Sequence, residues 1–129
     1  MIAIDANAVV ALLVDDDALG AASRRHYALH DLAAPDLLYY EVTSVLRKLC
    51  QTTVVSQRVA QHALHDLGLL RINTVPYGDI AHRMWELRDN LSVYDAAYVA
   101  VAELFDVDLL TFDTRIRRAP GPRCVFVDN

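Results

Sequence analysis

Short apolar runs, each followed by a longer stretch with helical spacing, recur along this chain, and that alternation limits its fold more than any other feature. Met1 to Asp5 (MIAID) opens the pattern, and Ala6 to Val14, rich in helix-forming Ala and Leu, continues to the acidic stop Asp15, Asp16 and Asp17. Ala18 to His30 reads as a helix with an exposed Arg24 and Arg25 face, and Leu32 to Ala34 as a brief strand ended by Pro35. From Asp36 to Gln51, Leu38, Val42, Val45, Leu46 and Leu49 fall at helical spacing, and Ser56 to Leu67 is a more polar helix closed by Gly68. Leu70 to Val75 is a strand stopped by Pro76. Helices over Asp79 to Asn90 and Val93 to Phe105 then precede a strand at Leu109 to Phe112 and a last β-rich run, Cys124 to Val127. Such alternation predicts an α/β sandwich around a small, mainly parallel central sheet.

With 129 residues the chain is expected to be one domain, residues 1–129, large enough for a real core. Its longest apolar runs, Ala8 to Val14 and Ala96 to Ala102, have seven residues each, well short of the ~20 a membrane helix needs. No basic residue precedes the first apolar run, which carries Asp5 instead, so the N-terminus does not read as a secretory signal. Cys50 and Cys124 stand 74 positions apart without CxxC spacing and read as reduced thiols, which fits a cytoplasmic protein. The hydrophobic content of 54% excludes a disordered tail, and a formal charge of -5 excludes a strongly basic nucleic-acid coat protein.

In open parallel sheets, sites form beyond the carboxyl ends of the strands. Asp5 ends the first strand in I-D-A-N, and Asp113 ends the strand of L-L-T-F-D-T-R; either alone is equally a turn former or helix cap. Asp95 completes a capping box, Ser92-Val93-Tyr94-Asp95, yet the helix it opens is apolar on almost every side and therefore buried. Glu41 lies within about 40° of Val45 at the edge of an apolar stripe, where Lys48 offers one partner and a divalent cation another. Should all four acids converge, an oxygen-only cluster favours Mg²⁺ or Mn²⁺ over zinc. Such ions can bind a phosphodiester, acidify an attacking water and stabilise the departing oxygen.

I-D-A-N at the N-terminus, Pro35 followed by the Glu41 helix, Y-D-A-A-Y-V-A-V-A-E at 94–103 and L-L-T-F-D-T-R at 109–115 together resemble the PIN-domain nucleases, in particular the VapC-type ribonuclease toxins. The resemblance covers essentially the whole chain. It implies a three-layer α/β/α fold, Mg²⁺- or Mn²⁺-dependent endoribonuclease activity, a homodimer, and inhibition by a cognate antitoxin. It further implies that Asp5, Glu41, Asp95 and Asp113 are catalytic and hold the metal. Asn7 matches the family's small polar position and Thr111 its hydroxyl. Cleavage by metal-activated water would leave a 5′-phosphate and a 3′-hydroxyl. Many members carry a further acid three residues after the last Asp. Here that position is Ile116, so one firmly held ion is expected, with a second present only with substrate.

Arg115, Arg117, Arg118 and Arg123 follow the Asp113 strand and are candidates for RNA-backbone contact, the alternative being a solvated charged loop. His26 with His30 (i,i+4) and His62 with His65 (i,i+3) have spacings that could form a soft-metal site, but neither pair sits in an HExxH context and two ligands make no structural zinc site, so they read as surface or helix-packing residues. Met84, Trp85 and Leu87 read as core or dimer contacts, or as base-stacking groups. Two other classes stay open: an aspartate-based phosphotransfer domain (phosphatase or receiver-like) using Asp5, and a catalytically inactive PIN-like binding module. Against the first, the only lysine is Lys48, in mid-helix. Without the four acids the formal charge would be -1, so the acidity is concentrated, and bound metal would turn a repulsive cleft into a phosphate-binding one.

Overall fold

A computed structural model describes residues 1–128. Four strands, β1 (Ile2–Ile4), β2 (Leu32–Pro35), β3 (Ile72–Val75) and β4 (Leu109–Leu110), form one sheet in the order β3-β2-β1-β4. Every pairing is parallel, with Ala3 opposite both Ala33 and Leu109. β1 and β2 are buried along their whole length, which explains why they read as continuous apolar runs with no alternation.

The helices are α1 (Ala6–Val14), α2 (Ala18–Leu29), α3 (Leu37–Gln51), α4 (Gln57–Leu69), α5 (Tyr77–Glu86), α6 (Val93–Phe105) and α7 (Thr114–Arg118). Side-chain oxygens start five of them: Asp5 accepts from the Ala8 N–H, Asp17 from Leu19 and Gly20, Ser56 from Val59, Ser92 from Asp95 and Asp113 from Arg115. α6 packs on β1, β2 and β4 with α5 beside it, while α1 packs against α2, α3 and α4. The seven residues Ala96 to Ala102 of α6 are all buried, as the apolar run predicts. Leu109 and Leu110 are completely buried, and truncating either to Ala would cost about 2–5 kcal/mol and loosen the strand that leads to Thr111 and Asp113.

Element boundaries differ from the sequence expectation where local chemistry intervenes. β4 has two residues instead of four, because the Thr111 hydroxyl accepts from the Asp113 N–H at 3.1 Å and turns the chain out of the ladder. The run Cys124 to Val127 is no strand. It makes a single parallel bridge, Leu109 to Phe126, in which the Leu109 N–H donates to the Val125 carbonyl at 2.9 Å and the Val127 N–H to the Leu109 carbonyl at 3.0 Å. α4 continues past Gly68 to Leu69, and β3 begins at Ile72, not Leu70. α5 starts at Tyr77, where Pro76 precedes the first turn, a position at which a missing N–H costs nothing. The arginine-rich segment after Asp113 is a short helix, α7, and not a loop; Ile116 on its inner side is 1% exposed. Among the described residues no helix is long and apolar enough to cross a membrane. Cys50 and Cys124 are both free.

Candidate active site

Asp5 follows β1, Asp113 follows β4, Glu41 lies on the second turn of α3 and Asp95 on the first turn of α6. All four line one cleft of about 160 Å³, together with Ala6, Asn7, Ser44, Val45 and Tyr98. The parallel sheet brings this about, since it delivers the carboxyl ends of β1 and β4 to one edge, and α3 and α6 flank them.

Each acid is held differently. Asp5 is 4% exposed; one carboxylate oxygen caps α1 through the Ala8 N–H at 2.9 Å, and the other takes a short hydrogen bond from the Thr111 hydroxyl. Burial pushes the Asp5 carboxyl up to about 6. Thr111 and Ala8 oppose that rise, while the charges of Asp113 and Asp95 add to it. Glu41 is half-buried and accepts from the Tyr98 phenol at 2.5 Å; burial raises its carboxyl above the ordinary value despite that bond, with Asp95 adding to the rise. Tyr98, 2% exposed, is held far above the usual phenol range by burial and by Glu41, so it remains a donor. Asp113 is the exception. The Arg115 side chain, 84% exposed, forks onto it at 3.0 and 3.3 Å and holds its carboxyl below the ordinary value.

The cap reading of Asp95 is half right. Ser92 accepts from the Asp95 N–H at 3.1 Å, but the Asp95 carboxylate makes no return bond to the Ser92 backbone and faces the cleft instead. Lys48 is exposed and forms no ion pair with Glu41 among the described residues, nor does it line the cleft.

The remaining candidates divide. Asn7 lies in the cleft wall, exposed at the start of α1. Thr111 is completely buried and acts through Asp5 and Asp113. Arg115 stands at the rim, and Arg118 is exposed on α7. Arg117 is engaged in the fold: its guanidinium donates to the Thr111 and Val127 carbonyls and lies 5.4 Å from the Phe126 ring. Arg123 belongs to a separate pocket with Glu103 and Asp108. No histidine lines the cleft; His26 and His30 stack on each other, and His62 and His65 are exposed. Met84 and Leu87 are core, whereas Trp85 is 64% exposed under the Arg88 guanidinium. Sequence reasoning assigned no role to Tyr98 or Ser44. Tyr98 lies three residues after Asp95 and Ser44 three after Glu41, the helical offset that keeps side chains on one face.

Hard oxygen donors without nitrogen or sulfur suit a hard divalent cation. Asp5, buried and bonded only to the Thr111 hydroxyl and the Ala8 N–H, has no cationic partner from the chain, which fits the same conclusion. As the side chains stand, no three His, Cys, Asp or Glu groups among the described residues are gathered tightly enough to enclose one ion; the acids share the walls of the cleft without closing on a point.

A small parallel α/β sandwich with carboxylates at the strand ends is the architecture of a PIN domain, and the model of the PIN-domain family matches residues 2–122. The chain is 38% identical to Ribonuclease VapC1 of Mycobacterium tuberculosis over 122 residues, 94% of this chain and 92% of that one. It is 35% identical to VapC ribonuclease Mb0985 of Mycobacterium bovis, over 96% and 94% of the two chains. It thus belongs to the VapC ribonucleases of the PIN-domain family. The fold also matches the structure of VapBC2 from Rickettsia felis bound to a DNA fragment from their promoter, with a TM-score of 0.68 and 15% identity over 98% of each chain.

Proposed function

We propose that this chain is a divalent-metal-dependent endoribonuclease using Mg²⁺ or Mn²⁺, and that it acts as the toxin of a toxin–antitoxin pair. One observation carries the reading: four carboxylates from four separate elements line one cleft, and the two that are most desolvated, Asp5 and Glu41, have hydroxyl partners and no cationic one. The names of the relatives support the choice of RNA as substrate. An antitoxin partner is supported by the match to VapBC2, and a homodimer acting in the cytoplasm is part of the same reading.

Asp5, Glu41, Asp95 and Asp113 would hold the metal. A bound divalent ion supplies Lewis acidity, lowering the pKa of a water and offsetting phosphate charge. The chain's own residues do the rest. Thr111 ties Asp5 to the Asp113 backbone, fixing both strand ends against each other. Asn7 and Ser44 offer uncharged hydrogen-bonding groups in the cleft wall. Arg115, already at the rim and mostly exposed, can turn from Asp113 to the phosphate of an RNA strand, which its planar fork suits. In-line attack by water would leave a 5′-phosphate and a 3′-hydroxyl. Ile116 fills the core where many relatives carry another acid, so the cleft is expected to hold one ion firmly.

The test uses purified full-length chain on total RNA. Cleavage should stop in EDTA, return with Mn²⁺, and be absent from folded Asp95→Asn protein. Cleavage that persists in EDTA would reject the reading.

A further inference from the structure

Resting on the metal reading above, we propose that Tyr98 is a positioning residue for cation binding: its phenol fixes one oxygen of Glu41 and leaves the other oxygen free for the ion, the carboxylate as a whole keeping its negative charge. The two residues are 57 positions apart, on α6 and α3, and meet across the cleft at 2.5 Å. Tyr98 is 2% exposed and packed in a helix whose neighbouring residues from Ala96 to Ala102 are all buried, so the ring has little freedom to move and the hydroxyl position is set by the core. Among the described residues the second carboxylate oxygen of Glu41 receives no hydrogen bond.

The chemistry of the donor matters. A lysine or arginine in this place would orient Glu41 equally well, but its charge would compete with an incoming cation. A phenol orients the carboxylate while leaving its charge in place. The same device holds Asp5, where the donor is the Thr111 hydroxyl. Mere satisfaction of a buried phenol does not explain the pair, because any neutral acceptor would satisfy it, and a half-buried carboxylate carries a desolvation cost that a neutral group avoids. Residues that orient metal ligands from behind commonly change metal affinity by about 10–100-fold when removed.

The experiment is a calorimetric titration of the metal-free full-length chain with Mn²⁺, in a cycle of Tyr98→Phe and Glu41→Gln. Tyr98→Phe keeps the ring and removes one oxygen. Its Mn²⁺ dissociation constant should rise about tenfold or more, and RNA cleavage should recover as Mn²⁺ is raised to saturation. In the Glu41→Gln background the same substitution should leave Mn²⁺ affinity unchanged. Glu41→Asp gives a second arm that spares the core: it keeps the charge, draws the carboxylate back from the phenol, and should lose affinity to a similar degree. Parent-like affinity in Tyr98→Phe, or the same loss with Glu41→Gln in place, overturns the inference while leaving the metal reading intact. Should Tyr98→Phe fail to fold, parent-like affinity in Glu41→Asp overturns it. A parent chain that takes up no Mn²⁺ overturns both.

Discussion

Helix α6 carries an acid near each end, and the two ends treat their charge in opposite ways. Glu103, toward the C-terminus, accepts from the Arg83 guanidinium at 2.8 and 3.3 Å and from the Arg123 N–H at 3.0 Å. Arg83 in turn donates to the Gly121 carbonyl at 2.8 Å, so one ion pair joins α5, α6 and the C-terminal segment. Asp95, eight residues and about 12 Å earlier, faces a cleft where Asp5 and Glu41 meet only hydroxyls and backbone N–H groups. A carboxylate with its cation supplied by the chain is a fastening. Asp5, at a strand end, and Glu41, on α3 beside it, have no such partner, and on the proposed reading they keep their charge for something from outside.

If that contrast is right, substitutions at the two ends should separate activity from stability. The largest effect is expected from Asp5→Asn or Asp95→Asn: RNA cleavage should fall by more than the ~100-fold upper figure for residues that only orient metal ligands, with the fold retained by circular dichroism. Glu103→Gln should do the reverse. Both members of its ion pair keep some exposure, 14% and 18% for the side chains, so the expected loss is about 2 kcal/mol rather than the full penalty for a buried pair. Urea unfolding would measure it, and cleavage by the folded fraction should not change.

The unpaired acids should also respond to pH. The Asp5 carboxyl is raised from 3.8 to about 6 in the fold, so folding favours its protonated form. In the absence of metal its contribution is fully favourable below about pH 4 and is lost as pH rises through about 6. The loss is of order 3 kcal/mol from this group, taken at about 1.4 kcal/mol per pK unit. Mn²⁺ should therefore raise the unfolding temperature more at pH 7 than at pH 5, and in Asp5→Asn protein that pH difference should shrink. The smallest effect belongs to Arg115→Ala. RNA binding should weaken modestly and the slope of its salt dependence fall by about one phosphate contact. An unchanged slope would assign Arg115 to Asp113 alone.

Much of this was legible in the sequence, for a physical reason. Buried parallel strands are continuous apolar runs, and the acid ending such a run sits at the sheet edge where sites form, which made Asp5 and Asp113 readable. The buried middle of α6, Ala96 to Ala102, was equally plain from its unbroken apolar run, whereas Val93, Tyr94, Leu104 and Phe105 at its ends are exposed although the whole helix reads as buried. Two kinds of information were missing. The Glu41–Tyr98 and Asp5–Thr111 bonds join residues 57 and 106 positions apart, and local pattern carries no record of such pairs. Arg117 read like its neighbours Arg115 and Arg118, yet one helical position turns it toward two backbone carbonyls and an aromatic ring. Similar charge in sequence became three different environments.

On the proposed reading, the unpaired acids of the cleft are reserved for a cation. Calorimetric titration of the metal-free chain with Mn²⁺ counts the ions those acids hold. One tight ion should bind per chain, lost in Asp5→Asn and retained in Glu103→Gln. Two equally tight ions would contradict the role given to Ile116, and binding that survives Asp5→Asn unchanged would contradict the reading itself.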